Sequence, residues 1–180
     1  MLYGTIETIQ ERVEHLIALR NLQSETGGFQ VFVPLAFHPE GNRMKRLFPP
    51  TATEDLRNIA ISRLMLSNIP HIKAYWVMLG IKTAQLAQLF GANDIDGTVT
   101  EEKIYHMAGS QSPQSLSRRE LCHIIEQAGR IPVERNTLYE PVQIGQNAEA
   151  LEIDATSGTD SKGTAISTAR NCSDSASLIM

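Results

Sequence analysis

Residues 94–109 read DIDGTVTEEKIYHMAG, and the reading of this stretch decides the fold. Asp94, Ile95 and Asp96 open it as a short strand, Gly97 turns the chain, and Thr98 leads into a helix. Thr98 and Glu101 stand at capping-box spacing: the Thr hydroxyl takes a first-turn N–H while Glu101 reaches back. A strand followed at once by a capped helix is the repeating unit of parallel α/β proteins, whose polar groups at C-terminal strand ends meet the ligand. Asp96, Thr98 and Glu101 are therefore candidate site residues. Glu101 and Glu102 also complement a helix dipole, and for Glu101 that reading stands beside the functional one.

The same alternation runs upstream. Met1-Leu2-Tyr3 reads as a strand end turned by Gly4, which places Tyr3 among the candidates. Thr8 and Glu11 open a helix over residues 9–24, with Ile9, Val13, Leu16 and Ile17 as a core-facing stripe that Leu19 and Leu22 widen. Gly27-Gly28 ends it. Residues 29–35 form an almost continuous apolar run, which predicts a strand buried on both faces with Pro34 near its end. The loop over 36–50 carries His38, Glu40, Asn42 and Arg43; a loop of that length points to function, and His38 is its candidate.

Thr51 and Glu54 open the next helix, to about residue 67, with Ile59, Leu64 and Leu66 on its apolar face. Residues 71–76 alternate as a strand, with Ile72, Ala74 and Trp76 on one side and His71, Lys73 and Tyr75 on the other. Trp76, at the strand's end, is read either as the wall of a pocket or as a packed core aromatic. A short helix over 81–90 stops at Gly91. Downstream, Ser117 and Glu120 cap a helix whose stripe is Leu121, Ile124, Ile125 and Ala128. Arg118-Arg119 reads as a solvated charge pair, and residues 130–135 as a short strand or edge segment. From about residue 144 the chain is rich in Ser, Thr, Ala and Asp, with too little apolar surface to offset ordering, so 144–180 is expected to be a disordered tail.

Composition narrows the function. The formal charge is −4, from 16 Lys and Arg against 20 Asp and Glu, which argues against a general nucleic-acid binder. Two cysteines, Cys122 and Cys172, match no metal or redox spacing, and the five histidines do not pair as ligands, so no metal site is expected. No secretion signal or membrane-length apolar run is present, and a cytoplasmic location is expected. Dinucleotide, Walker, zincin and nucleophile-elbow motifs are absent.

Four segments carry a family resemblance: GTVTEEKIYHMAG (97–109), GFQVFVPLAFHPEGN (28–42), NIPHIKAYWVMLG (68–80) and GRIPVERNTLY (129–139). Together they resemble the aminofutalosine synthases of menaquinone biosynthesis, radical S-adenosylmethionine enzymes related to dehypoxanthine futalosine cyclase and to the deazaflavin synthase subunits. The resemblance covers residues 1–143. It implies an α/β fold, the C-terminal half of a (β/α) TIM-like radical-enzyme barrel over 1–109, with a helical extension over 110–143. It also implies a [4Fe–4S] cluster and S-adenosylmethionine as cofactors. In such enzymes the deoxyadenosyl radical adds to 3-[(1-carboxyvinyl)oxy]benzoate and the carboxyl group is lost.

The family's Cys-x3-Cys-x2-Cys motif is absent, so the cluster ligands are expected on a missing N-terminal barrel half. Thr5 also stands where the family often has His. The chain alone is expected to be inactive. Catalytic candidates are Glu101, Asp96 and His38; substrate-binding candidates are Tyr3, Trp76 and Thr98, all toward a small-molecule substrate. The alternatives are activity like that of the cyclase or deazaflavin relatives, or a non-catalytic half-barrel that needs a partner chain.

Overall fold

The computed structural model describes residues 1–39, 41, 43–97, 115–142 and 177–179. Strand β1 (Leu2–Tyr3) pairs in parallel with β3 (Leu35–Ala36). Likewise β2 (Val31–Phe32) pairs with β4 (His71–Ala74), and β4 with β5 (Asp94–Ile95), all parallel. The expected single strand over 29–35 is thus two short ones. Proline has no N–H to give the ladder, so the chain changes neighbour at Val33-Pro34, from β4 before it to β1 after it. Met1 N donates to Val33 O at 2.9 Å and Leu35 N to Met1 O at 2.7 Å, which carries β1 across the break.

Helices α1 (Ile9–Thr26) and α2 (Ala52–Met65) follow β1 and β3. After β4 come α3 (Trp76–Leu79), α4 (Ile81–Ala87) and a 3-10 turn, Gln88–Phe90. The Thr8–Glu11 capping box forms in full, and Gly27 closes α1 at φ 62°. Thr51 accepts from Glu54 N at 3.3 Å at the start of α2. Trp76, expected in a strand, instead begins α3, because the ladder ends at Ala74.

Tyr3, Phe32, Ala36, Ile72, Ala74 and Ile95 of the strands share one buried cluster with Leu16 of α1, Ile59 of α2, and Ala84 and Ala87 of α4. These helices therefore lie on one side of the parallel sheet. Each large side chain sealed there contributes about 1.5–3 kcal/mol relative to exposure. The expected stripes are narrower than their sequence pattern. Ile9 is 76% exposed and Ile17 and Leu22 are also open, since α1 lies beside edge strand β1 and one line of its residues meets the core. Leu64 is 81% exposed as well, while Ile59 and Leu66 are buried.

Helix α5 (Arg118–Gln127) buries Leu121, Ile124 and Ile125 as its pattern predicts. It docks on α4 through Gln85 Nε2, which donates to Ile124 O at 3.0 Å, and Arg130 donates to Gln88 O at 3.2 Å. Arg118 is not solvated: it is buried and ion-paired with Glu134 of β6 (Val133–Arg135). Strand β7 (Ser177–Ile179) runs antiparallel between β5 and β6, so the sheet is mixed rather than wholly parallel. The tail expected to be disordered over 144–180 thus forms ladder contacts at these three residues. The physical reason is the open edge of β5, whose unpaired backbone groups accept another strand. The rest of the tail, and the boundary placed at residue 109, lie outside the described residues.

One acid-sensitive contact fixes the entry to α1. Gly4, at φ 87°, turns the chain against Pro50. The Glu7 carboxylate accepts from Gly4 N at 2.5 Å, Thr5 N at 2.8 Å and Thr5 Oγ1 at 2.5 Å, and pairs with Arg12 at 2.8 Å. Burial opposes ionisation of Glu7, but these donors outweigh it and hold its pKa at about 2 against an ordinary 4.5. A depressed carboxyl pKa gives stability that is fully present above pH 4.5 and lost as pH falls toward 2. Glu7→Gln is expected to cost on the order of 1–2 kcal/mol at neutral pH. It should also flatten the acid limb; urea midpoints at neutral and acid pH check both.

Candidate functional site

The face of the sheet turned away from α1, α2 and α4 carries a different set of residues. Register places Leu2 beside Leu35, Val31 beside His71, and Lys73 beside Asp94. Successive strand side chains alternate, so these share the face opposite Tyr3, Phe32 and Ile72. The face grades from apolar on β1, β2 and β3 to ionic on β4 and β5.

Lys73 Nζ lies 2.6 Å from Asp96 Oδ1 and 3.5 Å from Asp94 Oδ2. Asp94 is fully buried. It receives Arg135 Nε at 2.9 Å and Nη2 at 3.0 Å, a two-point clamp, and the Tyr139 hydroxyl at 3.1 Å. The Arg135 guanidinium sits 3.6 Å from the Tyr139 ring centre, and that ring stacks on His71 at 4.7 Å. Tyr139 adopts φ 64°, a left-handed conformation unusual for an aromatic residue. Its contacts with Asp94, Arg135 and His71 offset that strain. The Asn136 side-chain oxygen holds the turn by accepting from Leu138 N at 2.8 Å and Glu140 N at 3.1 Å. Residues 133–142 are thereby tied to β5 by the Arg135–Asp94 ion pair and to β4 by the stacking of Tyr139 on His71.

Burial pushes the Asp96 carboxyl above its ordinary pKa, Lys73 draws it down, and the charge of Asp94 adds to the upward push. Burial alone would lower Lys73, but Asp96 and Asp94 outweigh it and hold the ammonium charged. Burial and the charge of Asp94 raise Tyr139. Burial lowers His71 against the attraction of Asp94. The arrangement can hold an ionic or polar small molecule on a fixed lattice of charges, and can take or release a proton at Asp96.

Of the residues singled out from sequence, Asp96 and Trp76 come together: the indole N–H donates to Asp96 O at 3.2 Å. Trp76 itself is fully buried in the core cluster. His38 follows β3 on the same rim and is half-buried. Tyr3 is placed elsewhere. It is fully buried on the helix side, donates its hydroxyl to Asp55 of α2 at 2.6 Å, and lies under Arg12 of α1. Strand alternation turns Tyr3 away from the ionic face and into the core beside the helices. Thr98 and Glu101 lie outside the described residues. Sequence reasoning missed Lys73, Asp94, Arg135 and Tyr139. An Asp and an Arg inside short strands are the available signal, since both resist burial unless paired.

Among the described residues no group of three or more His, Cys, Asp or Glu is placed to hold a metal ion. No described helix is long and apolar enough to cross a membrane. Parallel strands in chain order, helices to one side and a charged face on the other define an α/β protein whose polar site lies on the strands. The chain belongs to the CofH/MqnC C-terminal region family, whose model matches residues 26–148. It is 53% identical over 154 residues to an aminodeoxyfutalosine synthase of Thermus thermophilus, covering 83% of this chain and 41% of that protein. A Streptomyces coelicolor aminodeoxyfutalosine synthase is 48% identical, with 78% and 39% covered. The cyclic dehypoxanthine futalosine synthase of the same organism is 41% identical, with 78% and 35% covered. The chain thus spans about two-fifths of the length of the curated relatives it matches.

Proposed function

We propose that this chain is the substrate-facing part of a radical S-adenosylmethionine transferase of the aminodeoxyfutalosine synthase type, and that it does not carry the reactive cofactor. A [4Fe–4S] cluster of this class needs three neighbouring thiolates. The chain has two cysteines: Cys122 is half-buried on α5, and Cys172 lies fifty positions away. These residues do not fit a cluster, so no step of the reaction is assigned to them. The cluster belongs on a portion beyond these 180 residues.

The observation that carries the reading is the ionic face of β4 and β5, held by Asp94, Arg135 and Tyr139 in a chain of this family. Helices on one side of consecutive parallel strands favour a closed barrel over an open sheet, which would carry helices on both faces. In this reading the strands are part of that barrel, and the face is its interior. Lys73 and Asp96 orient the substrate, an aryl enol ether such as 3-[(1-carboxyvinyl)oxy]benzoate. The segment 133–142 excludes water. His38 follows β3 at that rim, where loops after strands surround the substrate, and Thr98 and Glu101 are proposed as further substrate contacts.

The test joins this chain to the cluster-bearing portion of the Thermus thermophilus relative and offers the substrates of the different relatives under reducing conditions with S-adenosylmethionine. Aminofutalosine from the aryl enol ether is the expected product. Turnover only of dehypoxanthine futalosine, or only of a tyrosine and ribitylaminouracil pair, would move the assignment to another branch of the family.

A further inference from the structure

The ionic cluster has an accounting property that its individual contacts do not reveal. Lys73 and Arg135 supply two positive charges, and Asp94 and Asp96 two negative ones. Arg135 is committed: its fork is closed on Asp94, and both are sealed from solvent. Lys73 and Asp96 form the other pair, and both remain reachable, with side chains 14% and 16% exposed. The same face continues through Val31, which pairs with His71, to Leu35 and Leu2 of β3 and β1, an apolar direction for an aromatic ring held at Lys73.

An incoming carboxylate could replace Asp96 as the partner of Lys73, but it would leave three anions facing two buried cations. Uncompensated buried charge is costly. A proton taken by the displaced carboxylate removes that cost.

We infer that the Lys73–Asp96 pair is an exchange site for an aryl carboxylate: the ligand's carboxylate takes the Lys73 ammonium, and Asp96 accepts one proton from solvent as it is released. The charged groups that act on Asp96 from the described elements are Lys73 of β4, Asp94 of β5 and Arg135 of β6, while Tyr139 and His71 stand against Asp94 and each other. Burial and Asp94 already push Asp96 toward its neutral form, with Lys73 as the largest opposing influence. Engaging Lys73 with another anion weakens that opposition. This inference deepens the proposed function and rests on it for the class of ligand, but its test requires no turnover.

The experiment is calorimetric titration of the 180-residue chain with benzoate, in buffers of different ionisation enthalpy near neutral pH, with benzamide as the uncharged control. Benzoate is expected to bind at least about tenfold more tightly than benzamide. It should do so with uptake of about one proton and with affinity that falls as pH rises. Lys73→Met should abolish the preference for benzoate, and Lys73→Arg should restore most of it. Asp96→Asn should bind benzoate without proton uptake, an outcome that a merely structural role does not produce; it also decides the matter if Lys73→Met fails to fold. Equal binding of benzoate and benzamide, no binding of benzoate, or binding without proton uptake in the unaltered chain would overturn the inference. If benzoate binding fails while the joined enzyme makes aminofutalosine, the exchange site alone is wrong. Proton-linked binding without aminofutalosine formation would leave the site and remove the proposed reaction.

Discussion

Asp94→Ala is expected to destabilise the fold by on the order of 3–5 kcal/mol, the cost of leaving a buried charge without its partner. Asp94 is sealed from solvent and receives both arms of Arg135 and the Tyr139 hydroxyl. Its removal leaves the Arg135 guanidinium, itself buried, without the carboxylate that closes its fork. It also removes a contact that offsets the left-handed backbone of Tyr139. The segment 133–142 should loosen first. Adding Arg135→Met to the same chain should recover part of the loss, because the stranded cation is the larger share of the cost. Urea midpoints of the single and double variants measure this. A loss of less than about 0.5 kcal/mol for Asp94→Ala would mean that the clamp does not hold the fold.

The alternation of parallel strands with helices was legible where β1 and β3 lead on to helices that open with their own signals, at Thr8 and Thr51. Thr8 with Glu11, and Ser117 with Glu120, form the full boxes that their spacing predicts. The alternation of residues 71–74 is equally direct: Ile72 and Ala74 enter the core, while His71 and Lys73 take the other face. Periodicity does not report which lines of an amphipathic helix find a neighbour. That is why Ile9 and Leu64 are exposed although their positions look apolar-facing.

The site was half legible. Asp96 could be placed at a strand end, but its partner Lys73 is on a different strand, 23 positions away. Asp94 and Arg135 are 41 positions apart, and spacing along the chain carries no sign of their contact. The face that Tyr3 takes was not legible for a simpler reason: a strand of two residues has no alternation from which to read one. Arg118 was not legible for another reason: its ion pair with Glu134 depends on how α5 meets β6. Trp76 was readable as a large aromatic near a strand end; its place in the core follows from the helix that begins there.

The largest expected effect is on activity, and it bears on the claim that this chain supplies the substrate face and not the reactive cofactor. With two cysteines so far apart, the chain lacks the three thiolates a radical-generating cluster requires. Without the cluster there is no source of the adenosyl radical, however well the face of β4 and β5 positions an aryl enol ether. The decisive measurement is aminofutalosine formed per chain by the purified 180-residue protein, alone and joined to a cluster-bearing portion, under one anaerobic protocol with S-adenosylmethionine and reductant. The account predicts no product from the chain alone. It predicts turnover from the joined enzyme at least about a thousandfold above that background, roughly 4 kcal/mol of barrier. Aminofutalosine formed by the 180-residue chain alone would contradict it.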